Sequence, residues 1–74
     1  MTQPNALTTT QHVIQQVLGL PESPAPDANL RTDLAMSSYA MMETAVLLED
    51  RFGEDADFGK IAQAQTVEEL ARAW

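Results

Sequence analysis

Residues 33–52, DLAMSSYAMMETAVLLEDRF, constrain the fold of this chain more than any other stretch. Wound at about 3.6 residues per turn, they place Met41, Ala45, Leu48 and Phe52 along one side of a helix, an ordinary core stripe. Roughly opposite lie Tyr39, Met42 and Val46, set among Glu43, Glu49 and Asp50. A surface helix needs only one apolar face. A second one fringed with acids marks a surface kept for a partner or a cargo. Two hydroxyls, Ser37 and Ser38, stand at the entrance. One can cap the free backbone N–H groups, and the other projects from the positive end of the helix.

The segments on either side also read as helices. Residues 1–6 are polar and carry Pro4, which predicts a flexible lead-in. A first helix is expected to begin around Thr8 to Thr10: Thr8 and Gln11 have capping-box spacing, and Val13, Ile14, Val17 and Leu18 form an apolar stripe. Gly19 then stops it, with Pro21 close behind. Pro21, Pro24 and Pro26 forbid a regular helix up to Thr32, which leaves a long loop pinned by Leu20, Leu30 and Leu34.

After Gly53 closes the main helix, residues 54–57 are acidic and solvated. A short helix over residues 57–62 is expected to dip Phe58 and Ile61 into the core. The last helix opens with a Thr66–Glu69 capping box and aligns Val67, Leu70, Ala71 and Trp74. No window alternates in the manner of a strand, and there is no repeat. The expected fold is all-α: a small four-helix bundle of three main helices and one short one, in a single domain over residues 1–74. Val17, Leu48, Phe52, Val67 and Leu70 are its expected core.

Seventy-four residues leave a core too modest to enclose a deep substrate cleft. With no cysteine, the chain has no disulfide, zinc knuckle or thiol nucleophile of its own. Its formal charge of −7 argues against nucleic-acid phosphates and for partners with basic patches. Neither a signal peptide nor a membrane-spanning run is read in the sequence, so a soluble cytoplasmic protein is the expectation, and a monomer is expected beside it.

Each candidate for chemistry has a plainer reading beside it. His12, the one histidine, has no second ligand or nucleophile near it in sequence and reads as a surface residue. An EF-hand register with Gly59 at the turn puts Ala56 and Phe58 at ligand positions and Gln65 at the closing acid, so no calcium loop forms. The acids of residues 54–57 read as a solvated face. Glu43, Glu49 and Asp50 differ, because they rim exposed Met42 and Val46 beside Ser38 and offer steering to basic groups plus a small apolar contact. No acid or base in sequence proximity could activate Ser38 as a catalytic nucleophile. Left to periodicity, Ser38 is as well explained by a cap as by attachment of a group.

The string D-L-x-x-S-S-Y, followed by a helix ending L-L-E-D-R-F, resembles the D-L-G-x-D-S-L signature and recognition helix of acyl and peptidyl carrier proteins. Asp33 and Leu34 match the opening pair, and Ser38 matches the serine that receives 4′-phosphopantetheine. Glu43, Glu49, Asp50 and Phe52 fall in register without a gap. Ala35 stands where the family usually has Gly, Ser37 where it has Asp, and Tyr39 where it has Leu. The Ser-Ser-aromatic version is similar to freestanding carriers of specialised pathways, aminoacyl carriers among them.

The resemblance implies a carrier and not an enzyme. A phosphopantetheinyl transferase would move the arm from coenzyme A to Ser38, and the arm's thiol would hold an acyl or aminoacyl group as a thioester. A loading ligase and downstream biosynthetic enzymes would dock on Tyr39, Met42, Glu43, Val46, Glu49 and Asp50. No metal is implied. The reading from a different class is an unmodified acidic helical interaction module.

Overall fold

A computed structural model describes residues 5–74. Four helices follow one another: α1 (Ala6–Leu18), α2 (Ser38–Phe52), α3 (Phe58–Gln63) and α4 (Val67–Ala71). The Cα radius of gyration is 10.7 Å, close to the ~11 Å expected for a compact chain of this length. α1 lies against both α2 and α4. No strand forms among the described residues, only one antiparallel bridge between Asn29 and Thr66. The all-α bundle expected from the helical stripes is the fold observed.

α1 begins earlier than its capping pattern suggested. Its first residue is Ala6, and Asn5 precedes it in a left-handed conformation without a side-chain cap. Ala6 and Thr10 extend the buried side of Val13 and Ile14 by one turn, and that packing carries the helix past the Thr8 start. Of the lead-in expected over residues 1–6, residues 1–4 lie outside the described residues, and Ala6 is already helical and buried. Gln11, expected in a capping box, instead donates its side-chain amide to the Pro24 carbonyl at 2.9 Å and ties down the proline loop. Gly19 ends the helix at φ 66°, a conformation its missing side chain favours.

The long loop is fastened by its backbone and by apolar residues. Leu30 N–H donates to the Gln65 carbonyl at 2.8 Å, and the amides of Val67 and Glu68 donate back to Ala28 and Pro26. Leu30 is fully buried and Met36 almost so, while Leu20 and Leu34 are half-buried. Leu48, Val67 and Leu70 occupy the centre of the core, with Val17 and Phe52 packed against it from partly buried positions. α4 is short, and Trp74 lies beyond its end. There the indole stacks tilted against Phe52, ring centroids 5.3 Å apart, and donates to the Glu54 carbonyl at 3.1 Å.

One expectation about the core fails. Ile61 is buried, but Phe58 is 52% exposed. Phe58 is the first residue of a six-residue helix whose cap is Asp57. So short a helix presents one narrow face to the core, and Ile61 occupies it.

Candidate functional site

The approach to α2 is built from reciprocal hydrogen bonds. The Asp33 carboxylate accepts from Asn29 N–H at 2.8 Å. The Asn29 side-chain oxygen accepts from the amides of Arg31 and Thr32, each at 2.9 Å. The amides of Asp33 and Leu34 return to the Asn29 carbonyl at 3.0 Å. Ala35 then takes φ 52°, in the left-handed region that costs a residue with a side chain. Met36 follows, buried, with its amide on the Leu30 carbonyl at 2.9 Å. The opening Asp-Leu pair is therefore part of a turn that aims the chain into the helix.

At the helix entrance the two serines divide the work. Ser37 is the N-cap, extended at φ −76°, ψ 168°, and its Oγ accepts from Ala40 N–H at 3.1 Å. Its carbonyl accepts the first helical bond, from Met41 N–H at 3.0 Å. Ser38 is the first helical residue and is exposed. The cap leaves its hydroxyl facing solvent, where another protein can reach it.

Two apolar surfaces flank Ser38. One is a recess of about 230 Å³ between α2 and α3, with Ser38 in its wall. Met41, Met42, Ala45, Phe58 and Ile61 form most of it, and Arg31 is its one charged residue. The other is a shallow groove of Tyr39, Met42, Glu43, Val46 and Leu47 along the outside of α2. Tyr39 is 77% exposed, and Met42 and Val46 are each 57% exposed. The structure therefore brings together Tyr39, Met42, Glu43 and Val46 of the residues singled out from sequence. Asp50 is exposed but is not among the residues lining this groove.

Glu49 differs from its neighbours. It is half-buried, and one carboxylate oxygen accepts from Ala56 N–H at 2.8 Å. Its carboxylate closes the α2–α3 loop, an internal duty that the acidic pattern of the helix does not reveal.

Arg31 and Leu47 were not singled out by sequence, and Phe58 was expected in the core and not at this surface. One signal was available for Phe58. Like Ser38 it directly follows an N-cap, Asp57 in its case, at a first-turn position that faces outward. His12 is exposed, as expected. Among the described residues no group of three or more His, Asp or Glu side chains is placed to hold a metal ion. No helix among them is long and apolar enough to cross a membrane. A wider depression of about 690 Å³ opens beyond Arg31, between the Asn29 turn and the chain after α3. Amide and hydroxyl side chains line it together with Arg31, and no nucleophile–base pair is present.

A capped helix presenting one free hydroxyl has many uses, and the comparison with protein families narrows them. A family model described as the phosphopantetheine attachment site matches residues 10–74. The chain belongs to that family. The match includes the Asn29 turn, both serines and all of α2, and extends to Trp74. No curated protein and no solved structure matches the chain.

Members of the phosphopantetheine attachment site family carry 4′-phosphopantetheine covalently. They are not themselves catalytic, and they work with phosphopantetheinyl transferases and biosynthetic enzymes. The residues at the start of α2 suit the group. An exposed hydroxyl not consumed by the cap is what a phosphodiester requires, and a helix N-terminus favours the anion. When bound, the group supplies the thiol that this cysteine-free chain lacks. The chain's own residues supply the turn, the cap and the surfaces around the attachment point.

Proposed function

We propose that Ser38 is the attachment point, and that the chain is a freestanding carrier domain presenting an acyl or aminoacyl thioester to partner enzymes. The observation that carries this reading is the division of labour between the serines. Ser37 Oγ is committed to Ala40 N–H, and Ser38 is exposed on the first turn. A modification on Ser37 would remove the cap, whereas one on Ser38 leaves it intact.

Partner enzymes, in this reading, meet the outer face of α2. Tyr39, Met42 and Val46 give an adaptable apolar contact, and Glu43 with exposed Asp50 steers basic patches toward it. The net charge of −7 extends that steering over the whole chain, which we take to act as a cytoplasmic monomer.

Incubation with coenzyme A and a broad-specificity phosphopantetheinyl transferase tests the assignment. Intact mass should increase by one arm, and peptide mapping should place it on Ser38. Ser38→Ala should abolish the gain and keep the helical circular dichroism spectrum. Arm found on Ser37, or no gain with any transferase, would defeat the carrier reading in favour of an unmodified interaction module.

A further inference from the structure

The four Lys and Arg of this acidic chain are unevenly placed. Arg51 lies in the last turn of α2, where its guanidinium donates to the Gln16 side-chain oxygen at 3.3 Å. The other three border α3. Arg31 lines the depression of about 690 Å³, and Lys60 and Arg72 line a smaller hollow of about 210 Å³ between α3 and α4. Gln63 and Ala64 line both, so the two hollows adjoin.

Available charge on this face is positive. No acid lines the larger depression. The smaller one contains Glu69, and Asp57 caps α3 at its start. Both carboxylates are held within the chain: Asp57 Oδ1 accepts from Lys60 N–H at 3.2 Å, and Glu69 Oε1 accepts from the Thr66 hydroxyl at 3.1 Å. Arg31, Lys60 and Arg72 are exposed, and among the described residues no hydrogen bond engages the charged end of any of them. Gln63 and Gln65, also exposed, add amides that both donate and accept, which is what a peptide backbone needs.

These groups select an occupant. The cations are divided between two adjoining hollows and do not share one, so a single small anion meets only part of them. No aromatic side chain lines either hollow to stack a base, and the net charge of −7 repels a polyphosphate backbone. We infer that the α3–α4 face is a second docking surface, and that its occupant is an extended acidic segment of a partner protein. Its carboxylates meet Arg31 in one hollow and Lys60 with Arg72 in the other, while its backbone crosses Gln63 and Gln65. Only the identity of that partner as an enzyme acting on a carrier rests on the function proposed above. Such a partner carries both signs, basic toward Glu43 and Asp50 and acidic toward α3 and α4. Contacts of opposite sign on two faces fix its orientation, because a reversed approach sets like charges together.

The test uses the unmodified full chain, labelled with nitrogen-15, at low ionic strength. A capped hexaglutamate peptide is the probe, with capped hexalysine and free glutamate as comparisons. Hexaglutamate should shift the side-chain resonances of Arg31, Lys60, Arg72, Gln63 and Gln65, bind more tightly than free glutamate, and weaken as salt is raised. Hexalysine should shift the outer face of α2 instead. An exposed ion pair changes affinity by roughly two- to fivefold. Arg31→Gln, Lys60→Gln and Arg72→Gln should each lose about that much, and exposed side chains let the fold survive each change. Arg51→Gln removes the same charge away from this face and should leave hexaglutamate affinity unchanged. Equal losses from Arg51→Gln would show a net-charge effect alone and overturn the inference. So would no shift at α3 and α4, a response to free glutamate as strong as to the peptide, or concentration-dependent shifts without any peptide, which would make a second copy of the chain the occupant. None of these outcomes bears on attachment at Ser38, which mass mapping decides separately.

Discussion

Two acids on α2 look alike in sequence, and substituting them should have different consequences. Glu43 is exposed on the outer groove. Glu49 is half-buried and accepts from Ala56 N–H at 2.8 Å. Three hydrogen bonds hold the loop from α2 to α3: this one, the Trp74 indole on the Glu54 carbonyl at 3.1 Å, and Asp57 N–H on the Ala73 carbonyl at 3.2 Å. Only the first involves a formal charge. A hydrogen bond to a charged group contributes about 1.5–3 kcal/mol, and partial access of water to Ala56 places this one near the lower end, about 1.5 kcal/mol. Glu49→Ala should lose all of it. Glu49→Gln keeps a neutral acceptor and should lose roughly half, since charge-assisted bonds are about twice as strong as neutral ones. For a domain of this size 1 kcal/mol moves Tm by about 4–8 °C, so Glu49→Ala should melt on the order of 10 °C below the parent. Urea unfolding followed by circular dichroism measures the global change. Fluorescence of Trp74, the single tryptophan and itself bonded to this loop, reports the local one. Glu43→Ala is the control and should unfold within about 0.5 kcal/mol of the parent, as surface substitutions do. If Glu49→Ala is as stable as Glu43→Ala, the carboxylate does not close the loop and belongs with the docking acids after all.

Ala35 holds φ 52° at the price of left-handed strain, so Ala35→Gly should raise stability by about 0.5–1 kcal/mol after the extra freedom of the unfolded glycine is subtracted, read as a rise in the urea midpoint. Thr10 and Thr44 are fully buried with hydroxyls that find no hydrogen-bond partner, and Thr44→Val should stabilise by about 1 kcal/mol in the same assay. Ser37→Ala removes the cap of α2 and should cost about 1 kcal/mol while the mass gain on Ser38 persists. Glu43→Lys should slow modification or loading most at low salt, which rate measurements across ionic strength would show. Val46→Ala should weaken partner docking at unchanged stability, and Met42→Ala, whose side chain borders both the groove and the recess, should weaken it as well.

Most of the bundle was legible because its helices are signalled by local chemistry. The caps Ser37 and Thr66 and the stops Gly19 and Gly53 act within one turn of themselves, and each occurs where its residue type predicts. The stripe of Met41, Ala45 and Leu48 was readable for the same reason: periodicity fixes which face of a single helix is apolar. The start of α1 was not. Whether Ala6 is helical depends on a neighbouring surface for it to bury against, and that surface is contributed by residues far along the chain. Met36 escaped for the converse reason: in a loop there is no period, and only the turn around Asn29 determines that it points inward.

The exposed serine proposed as the attachment point was legible and its surroundings were not. Ser38 follows a capping residue, and the geometry of a helix entrance sends the next side chain outward whatever packs nearby. Phe58 obeys the same rule behind Asp57, yet an aromatic three residues before Ile61 reads first as core. Deciding between the two requires knowing how much face a six-residue helix can bury, and the core had space for Ile61 alone. Arg31 is harder still, since nothing in its own neighbourhood in sequence connects it to α3. The Asn29 turn fixes its backbone N–H, and Arg31 lines one recess together with Ser38 and residues of α3. Three separate segments, unremarkable one by one, therefore define the space in which a group on Ser38 starts. The exposed hydroxyl proposed to receive the arm is a local property of one helix end, while the surfaces around it belong to the assembled fold.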